Sequence, residues 1–331
     1  MTRPLITLEE HFCYSREVLY DSHDGKNPYT FLLQYMKGMG ERLLDVGKLR
    51  LEAMDQGHIS LQAVSHAPMA PKLDANQCRA ANDALAGHIR ANPERFGGFA
   101  VLPVGDPSQA AEELGRCVRE LGFLGALIDS HADDGTYFDH EAYLPMFQAA
   151  QDLDVPIYLH PTWPIDAVKE TLFTGNFNPA VSTLLGGSTF GWHSDVAVHF
   201  LRLFASGLFD KLPGLKIILG HMGEMLPFML QRVSLTSRFW GLKHDFETVW
   251  ARNVWITTSG NWSVDPMACI LRNTPISHIM LSVDYPFNGN EGAEKLLSDL
   301  QQSGMVAAED LDAIAYRNAE KLLGIKATKT F

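Results

Sequence analysis

Residues 5–12 read Leu-Ile-Thr-Leu-Glu-Glu-His-Phe, a short aliphatic run closing on three ionisable side chains. The same design recurs along the chain. PIYLH at 156–160 ends in His160, LKIILGH at 215–221 in His221, and IMLSVD at 279–284 in Asp284. Four further runs complete a set of eight strands: LQAVS at 61–65, GFAVLP at 98–103, GALIDS at 125–130 and VWITTS at 254–259. Several are continuously apolar instead of alternating, as expected of strands buried on both faces of a parallel sheet.

Between the strands the apolar spacing becomes helical. Residues 75–92 repeat it at Ala81, Ala84, Leu85 and Ile89, and Asp106 followed by Pro107 caps a helix running to Leu121. Further helices are expected at 142–153, 194–209, 224–240, 266–272, 290–302 and 308–323. Strands alternating with helices in this number predict a (β/α)8 TIM barrel, with a doubly wound sheet as the alternative. One barrel domain spanning 1–331 accommodates the whole sequence. The length beyond the roughly 250 residues of a plain barrel falls largely in two aromatic-rich connections. Residues 13–48 carry Tyr14, Tyr20, Tyr29 and Tyr35 with Gly38 and Gly40, and 161–193 carry Trp163, Phe173, Phe177, Phe190 and Trp192. Both follow the C-terminal ends of strands, 1 and 5, the catalytic face of a barrel, where long loops act as lids or pocket walls. The first alternatively holds a further helix.

Composition removes other classes. With 27 Lys and Arg against 39 Asp and Glu, the formal charge is −12. There is no run of four basic residues, so a nucleic-acid partner is excluded. Four scattered cysteines (Cys13, Cys78, Cys117, Cys269) without a CxxC offer neither a disulfide framework nor a thiolate metal knuckle. The opening MTRPLITLEEHF lacks the apolar core of a signal peptide, and no stretch approaches the ~20 apolar residues of a membrane span. A cytoplasmic protein is expected.

The strand ends carry the chemistry. Side chains alternate along a strand, so Glu9 and His11 share one face and Glu10 takes the other. In a barrel, Glu9 and His11 point into the mouth, with His160, His221 and Asp284 at the same height. Such groups are costly to bury unless paired or metal-bound. One strand-end histidine alone reads as an ordinary core or loop residue, but five positions together point to a metal centre. Oxygen and imidazole ligands without thiolate suit Zn2+ or Mn2+.

The segments LEEHF, IYLHP, IILGHMGE and LSVDYPF, in this order, resemble the amidohydrolase superfamily. More narrowly, they resemble its metal-dependent, cofactor-free decarboxylases of hydroxylated benzoates, such as γ-resorcylate, 2,3-dihydroxybenzoate and salicylate decarboxylases. The likeness extends through ELGFLGALI at 120–128, WITTSGNWS at 255–263 and RNAEKLLGI at 317–325. Many hydrolases of the superfamily open with HxH and carry a Lys or Glu on strand 4 or 5. Glu9-Glu10-His11 and the lack of such a Lys argue for a single metal.

The resemblance implies Glu9, His11, His160 and Asp284 as ligands of one divalent ion, with no organic cofactor. Some members have Ala where His11 stands. It further implies a substrate that is a small aromatic carboxylate, a homodimer or homotetramer, and catalytic roles for Asp284, His221 and Glu224. Arg232 matches a substrate-binding position, and Phe287 suits a flat ring. An aryl carbanion is too unstable to form, so the ring carbon must be protonated before CO2 leaves. That role falls to Asp284, assisted by the His221–Glu224 pair. Read as residues alone, Glu224 is equally a plain helix-start carboxylate, Arg232 a surface arginine, and each aromatic ordinary packing. His193 is a further candidate near the mouth, while His199, in the apolar stretch VAVHFLRLF, reads as a core histidine. The alternatives are a metal-dependent hydrolase of a lactone or amide, and a metal-binding scaffold without turnover.

Overall fold

The computed structural model describes residues 3–20, 29–68 and 73–331. Part of the first long connection, 21–28, therefore lies outside the described residues. Eight parallel strands appear in the expected order: β1 (Ile6–Phe12), β2 (Leu61–His66), β3 (Phe96–Gly98), β4 (Ala126–Asp129), β5 (Ile157–His160), β6 (Ile217–Leu219), β7 (Val254–Thr257) and β8 (Ile279–Met280). They form two ladders, β1-β2-β3 and β4-β5-β6-β7-β8. Single parallel bridges, Ala100 with Ala126 and Glu10 with Tyr285, join the ladders at both gaps and complete the ring. This is the α/β barrel the sequence predicts, with helices outside.

The strand ends differ from expectation in an informative way. β8 stops at Met280 instead of reaching Asp284. Beyond it the backbone amides of Ser282, Val283 and Tyr285 bond to side chains of Thr258 and Glu10, not to a neighbouring strand. β6 is likewise shorter than 215–221, because residues 221–225 leave the extended region entirely. β3 starts two residues earlier than expected and already ends at Gly98 instead of Pro103.

β1 is not regularly alternating either. Its register with β2 shifts between Thr7 and Glu10. Below the irregularity Ile6 and Leu8 join Ala63, Leu127, Ile218 and Met280 in an apolar cluster drawn from six strands, which is the plug of the barrel. Above it Glu9 and His11 take over the inward face, and Phe12 packs outward against the helical layer. A bulge of this kind re-aims the side chains that follow it.

Local signals account for many of the helices. Asp74 and Gln77 form a reciprocal capping box at Ala75–Ala91, and Asp106 caps Pro107–Leu121, which ends on Gly122 at φ +72°. The helix expected at 194–209 starts earlier, at Gly191, and breaks at Gly207 before Leu208–Lys211. The one expected at 224–240 is Leu226–Ser237. A helix at Phe246–Asn253, capped by Asp245, was not anticipated. The first connection does contain helices: Arg16–Tyr20, Tyr29–Tyr35 and Met39–Leu44, with Lys48–Gln56 following. They pack through Leu19, Tyr29, Met39 and Leu43 onto Cys13, Ala67 and Phe287, forming a small apolar cluster over the mouth. The connection after β5 also folds into short helical turns, and its Trp163 and Trp192 pack edge to face at 4.7 Å.

Candidate metal centre

Four predicted ligands converge at the C-terminal mouth. One donor atom each from Glu9, His11, His160 and Asp284 lies within 4.8 Å of all the others. His160 Nε2 is 3.0 Å from Glu9 Oε1, and His11 Nε2 is 3.4 Å from Asp284 Oδ1.

The outer partners fix how these groups face one another. His160 Nδ1 donates to the Pro161 carbonyl at 2.7 Å, so in the neutral ring Nε2 presents a lone pair to Glu9. Burial opposes charge on His160, yet its contact with Glu9 raises it above its ordinary value, so positive charge, carried by a proton or by a cation, belongs between the two groups. Glu9 Oε1 and His11 Nε2 are both fully buried without a hydrogen-bond partner among the described residues, and the other His11 nitrogen lies 3.3 Å from Ser65 Oγ. The second Glu9 oxygen is spoken for: the Tyr158 hydroxyl donates to Oε2. Gly220 makes room for it, since a Cβ there would lie 2.5 Å from Glu9 Oε2. Two buried polar atoms left open, Glu9 Oε1 and His11 Nε2, within a set of two carboxylates and two imidazoles, fit a divalent metal ion.

Beside the ligands stands His221, whose Nε2 is 3.5 Å from Glu9 Oε1 and 4.0 Å from Asp284 Oδ2. Its Nδ1 donates to Glu224 Oε1 at 2.7 Å. The geometry depends on an unusual piece of chain. His221, Met222, Gly223, Glu224 and Met225 all have positive φ, from 45° to 84°. Four of these are not glycine, and left-handed backbone costs roughly 1–2 kcal/mol per L-residue. The turn brings His221 and Glu224, three residues apart, into contact. Glu224 is thus a partner of His221, as the resemblance implies, rather than a helix-start carboxylate.

Electrostatics separate the roles of the two buried carboxylates. Burial alone would raise Glu9, but His221, His160 and His11 outweigh it and hold Glu9 well below the usual carboxylate range. Burial, reinforced by repulsion from Glu9, pushes Asp284 up to about 7. Burial opposes charge on His221, yet Glu9, Glu224 and Asp284 together lift it to about 10. Burial, then neighbouring His160, drives His11 well below its ordinary value, keeping the ring neutral as a ligand must be. These directions belong to the side chains alone; a bound cation takes the place of protons among the carboxylates.

Phe287 reaches the site, its ring centroid 5.7 Å from that of His11, with Tyr29 at 6.5 Å on its other side. His193 is drawn in too: its Nδ1 donates to the second Glu224 oxygen at 2.7 Å. Arg232 stands apart, exposed on the helix Leu226–Ser237, with no hydrogen bond or ion pair to the cluster among the described residues. His199 is a core residue as expected, but neither ring nitrogen has a partner. Phe177 and Phe190 of the second connection are exposed. Sequence reasoning missed Tyr158 and Ser65. Tyr158 was recoverable, since it precedes His160 by two residues and so shares its inward face.

A sequence profile for amidohydrolases matches residues 23–325. The chain belongs to the amidohydrolase family. This amidohydrolase is 49% identical to the decarboxylase orsB of Emericella nidulans, over 99% of both chains. It is 38% identical to the γ-resorcylate decarboxylase of Rhodococcus jostii, over 87% of this chain and 90% of that one. Among solved structures it resembles a 2,6-dihydroxybenzoate decarboxylase crystallised with 2,6-dihydroxybenzoate, at 35% identity and a TM-score of 0.85 over 97% and 99% of the two chains. A dihydroxybenzoic acid decarboxylase from Polaromonas with bound manganese and 2-nitroresorcinol gives 33% identity and a TM-score of 0.87 over 97% of each chain. In this amidohydrolase the four-residue cluster at the mouth is a Glu-x-His pair, a histidine and an aspartate rather than an HxH motif.

Proposed function

We propose that this amidohydrolase is a carboxy-lyase: it removes CO2 from an ortho-hydroxylated benzoate, without oxidation and with the help of one divalent metal ion. The observation that carries this reading is the double membership of Asp284. It belongs to the four-residue cluster and also lies 4.0 Å from the His221 imidazole, so one carboxylate touches both the cation site and the proton-carrying pair. A carboxyl with an imidazole beside it can give a proton to one side and be recharged from the other.

Glu9, His11, His160 and Asp284 would hold the ion. When bound, it supplies Lewis acidity toward an ortho phenolate and the carboxylate of the substrate. Phe287, backed by the buried ring of Tyr29, offers an aromatic face suited to a flat ring. Asp284 gives its proton to the ring carbon that bears the carboxylate. The carbon–carbon bond then breaks, its electron pair restores the aromatic ring, and CO2 departs. The proton stays on the product ring as its new C–H, and His221, oriented by Glu224, reloads Asp284 with a fresh proton that it takes up from solvent. The same steps run backward at high CO2.

Mixed carboxylate and imidazole donors suit both Zn2+ and Mn2+. The manganese in the Polaromonas relative makes Mn2+ the first ion to supply, beside Zn2+. We also take residues 1–331 as one barrel domain, acting in the cytoplasm; among the described residues no helix is long and apolar enough to cross a membrane. A homo-oligomer is part of the same reading. Met225, Phe228, Met229, Leu235 and Phe239 form an exposed apolar stripe, with Phe228 78% and Phe239 89% accessible. Stripes of this kind mark association surfaces. Arg232 lies within it, so any contact it makes with substrate would be across an interface between copies.

A panel of hydroxybenzoates assayed for CO2 release, with and without chelator, tests the proposal. CO2 and the matching phenol should appear from at least one 2-hydroxybenzoate, vanish with chelator and return with Mn2+ or Zn2+. Hydrolysis of a lactone or amide with no CO2 from any benzoate would overturn it.

A further inference from the structure

Metal ligands lie on both sides of the barrel seam between β8 and β1, with Glu9 and His11 on one side and Asp284 on the other. Almost no backbone ladder spans that seam. It holds the single bridge Glu10–Tyr285, with His11 N donating to Tyr285 O at 2.6 Å. Side chains do the rest, and they do it reciprocally.

The bulge in β1 turns the amides of Leu8 and Glu9 away from any strand, and both donate to Ser282 Oγ, at 3.1 and 2.7 Å. Across the seam, the amides of Val283 and Tyr285 donate to Glu10, at 3.1 Å to Oε1 and 2.9 Å to Oε2. Ser282 Oγ gives its own hydrogen to Glu10 Oε1 at 3.2 Å, and Gln62 Nε2 donates to Oε2 at 3.3 Å. Glu10, Ser282 and Gln62 are all fully buried. Asp284 sits between the two amides that Glu10 grips, and its φ is +69°, a conformation that a non-glycine residue keeps only when its surroundings impose it.

We propose that Glu10 and Ser282 are positioning residues of the metal centre. Neither reaches the ion. Each satisfies the free backbone of the opposite strand, and together they set the distance between the Glu9/His11 half of the ligand set and the Asp284 half. The inference rests on the reading of these four residues as metal ligands. It makes the carboxylate that points away from the mouth as necessary to the site as the one that points in.

The test is metal retention by the holoenzyme purified with Mn2+, challenged with graded chelator, and read by elemental analysis. Glu10→Gln keeps the size of the side chain but sets an amide N–H against a backbone N–H; Ser282→Ala removes one oxygen. The chelator concentration that strips half the metal should fall about 10–100-fold in both, the usual effect of losing a group that orients metal ligands. Asn82→Ala serves as the control, since it breaks an equally buried polar cluster with Val101 and Glu113 remote from the seam. It should lower thermal stability without changing retention. If Glu10→Gln does not fold, Ser282→Ala decides alone. Retention within twofold of the parent in Ser282→Ala overturns the proposal. So does an equal loss in Asn82→Ala at the same thermal shift. A parent protein that holds no metal would instead defeat the ligand assignment itself, a distinguishable result.

Discussion

His221 and His193 hang from opposite oxygens of one carboxylate. Glu224 Oε1 accepts from His221 Nδ1 and Oε2 from His193 Nδ1, each at 2.7 Å, and the two rings lie 4.7 Å apart. The carboxylate fixes which His221 nitrogen faces Asp284. Replacing Glu224 by Gln removes that instruction without touching a metal ligand. The kcat for CO2 release should fall by about 10²–10⁴, the usual span for misplacing a proton-transfer group, while bound metal stays at the parental level. Parental kcat at full metal occupancy would remove Glu224 from the mechanism.

Asp284→Asn keeps the shape of the side chain and one oxygen, but the amide has no acidic proton to deliver. With metal occupancy restored by excess Mn2+, CO2 release should drop to background. Residual turnover within a factor of about 100 of the parent, a size typical of losing an assisting acid rather than the donor itself, would assign ring protonation elsewhere.

His199 predicts a change in stability rather than in activity. Its ring is buried against Phe138 and Tyr137, with centroids 5.2 and 5.7 Å away, and neither nitrogen is bonded. Burial lowers it from 6.5 to about 3. The folded protein therefore cannot take up a proton that the unfolded chain accepts, so stability is intact above pH 6.5 and is lost as pH falls toward 3. The slope from one such group is about 1.4 kcal/mol per pH unit within that window. His199→Leu should stabilise the fold by about 1–3 kcal/mol at neutral pH, the cost of burying unpaired polar atoms, and flatten the acid side of the profile. Buried His66, lowered to about 4, and His11, also lowered, keep a residual acid dependence in the variant. Thermal unfolding from pH 4.5 to 7.5 measures both effects; parallel profiles for parent and variant would contradict the account.

Phe228→Glu and Phe239→Glu place charge on the exposed stripe. In a homo-oligomer joined there, sedimentation should shift toward the single chain. An unchanged assembly would put the interface on another face.

Much of the barrel was legible because buried parallel strands leave continuous aliphatic runs, and because ionisable residues at their ends stand out against them. His160 and Asp284 could be found for that reason. Where strands end was less legible. By composition β8 runs on to Asp284, yet the amides of Ser282, Val283 and Tyr285 are satisfied by Thr258 and Glu10 side chains, which lie far off in sequence. The alternation rule placed Glu9 and His11 on one face, and they are, but it gave no hint of the bulge that separates them from Ile6 and Leu8. Nor does HMGEM announce a left-handed turn, since only one of its five residues is glycine. The role of His193 could not be read because its partner, Glu224, is 31 residues away.

The left-handed turn at 221–225 has a consequence for how such a site can diversify. The imidazole and the carboxylate that orients it arrive together on five residues of chain, while the aromatic walls that meet a substrate ring come from separate connections. A change of ring specificity can be made in the walls without redrawing the proton-handling unit. In the proposed mechanism only the stretch Asp284–Phe287 serves both recognition and chemistry, while the His221–Glu224 pair can be kept as the walls change.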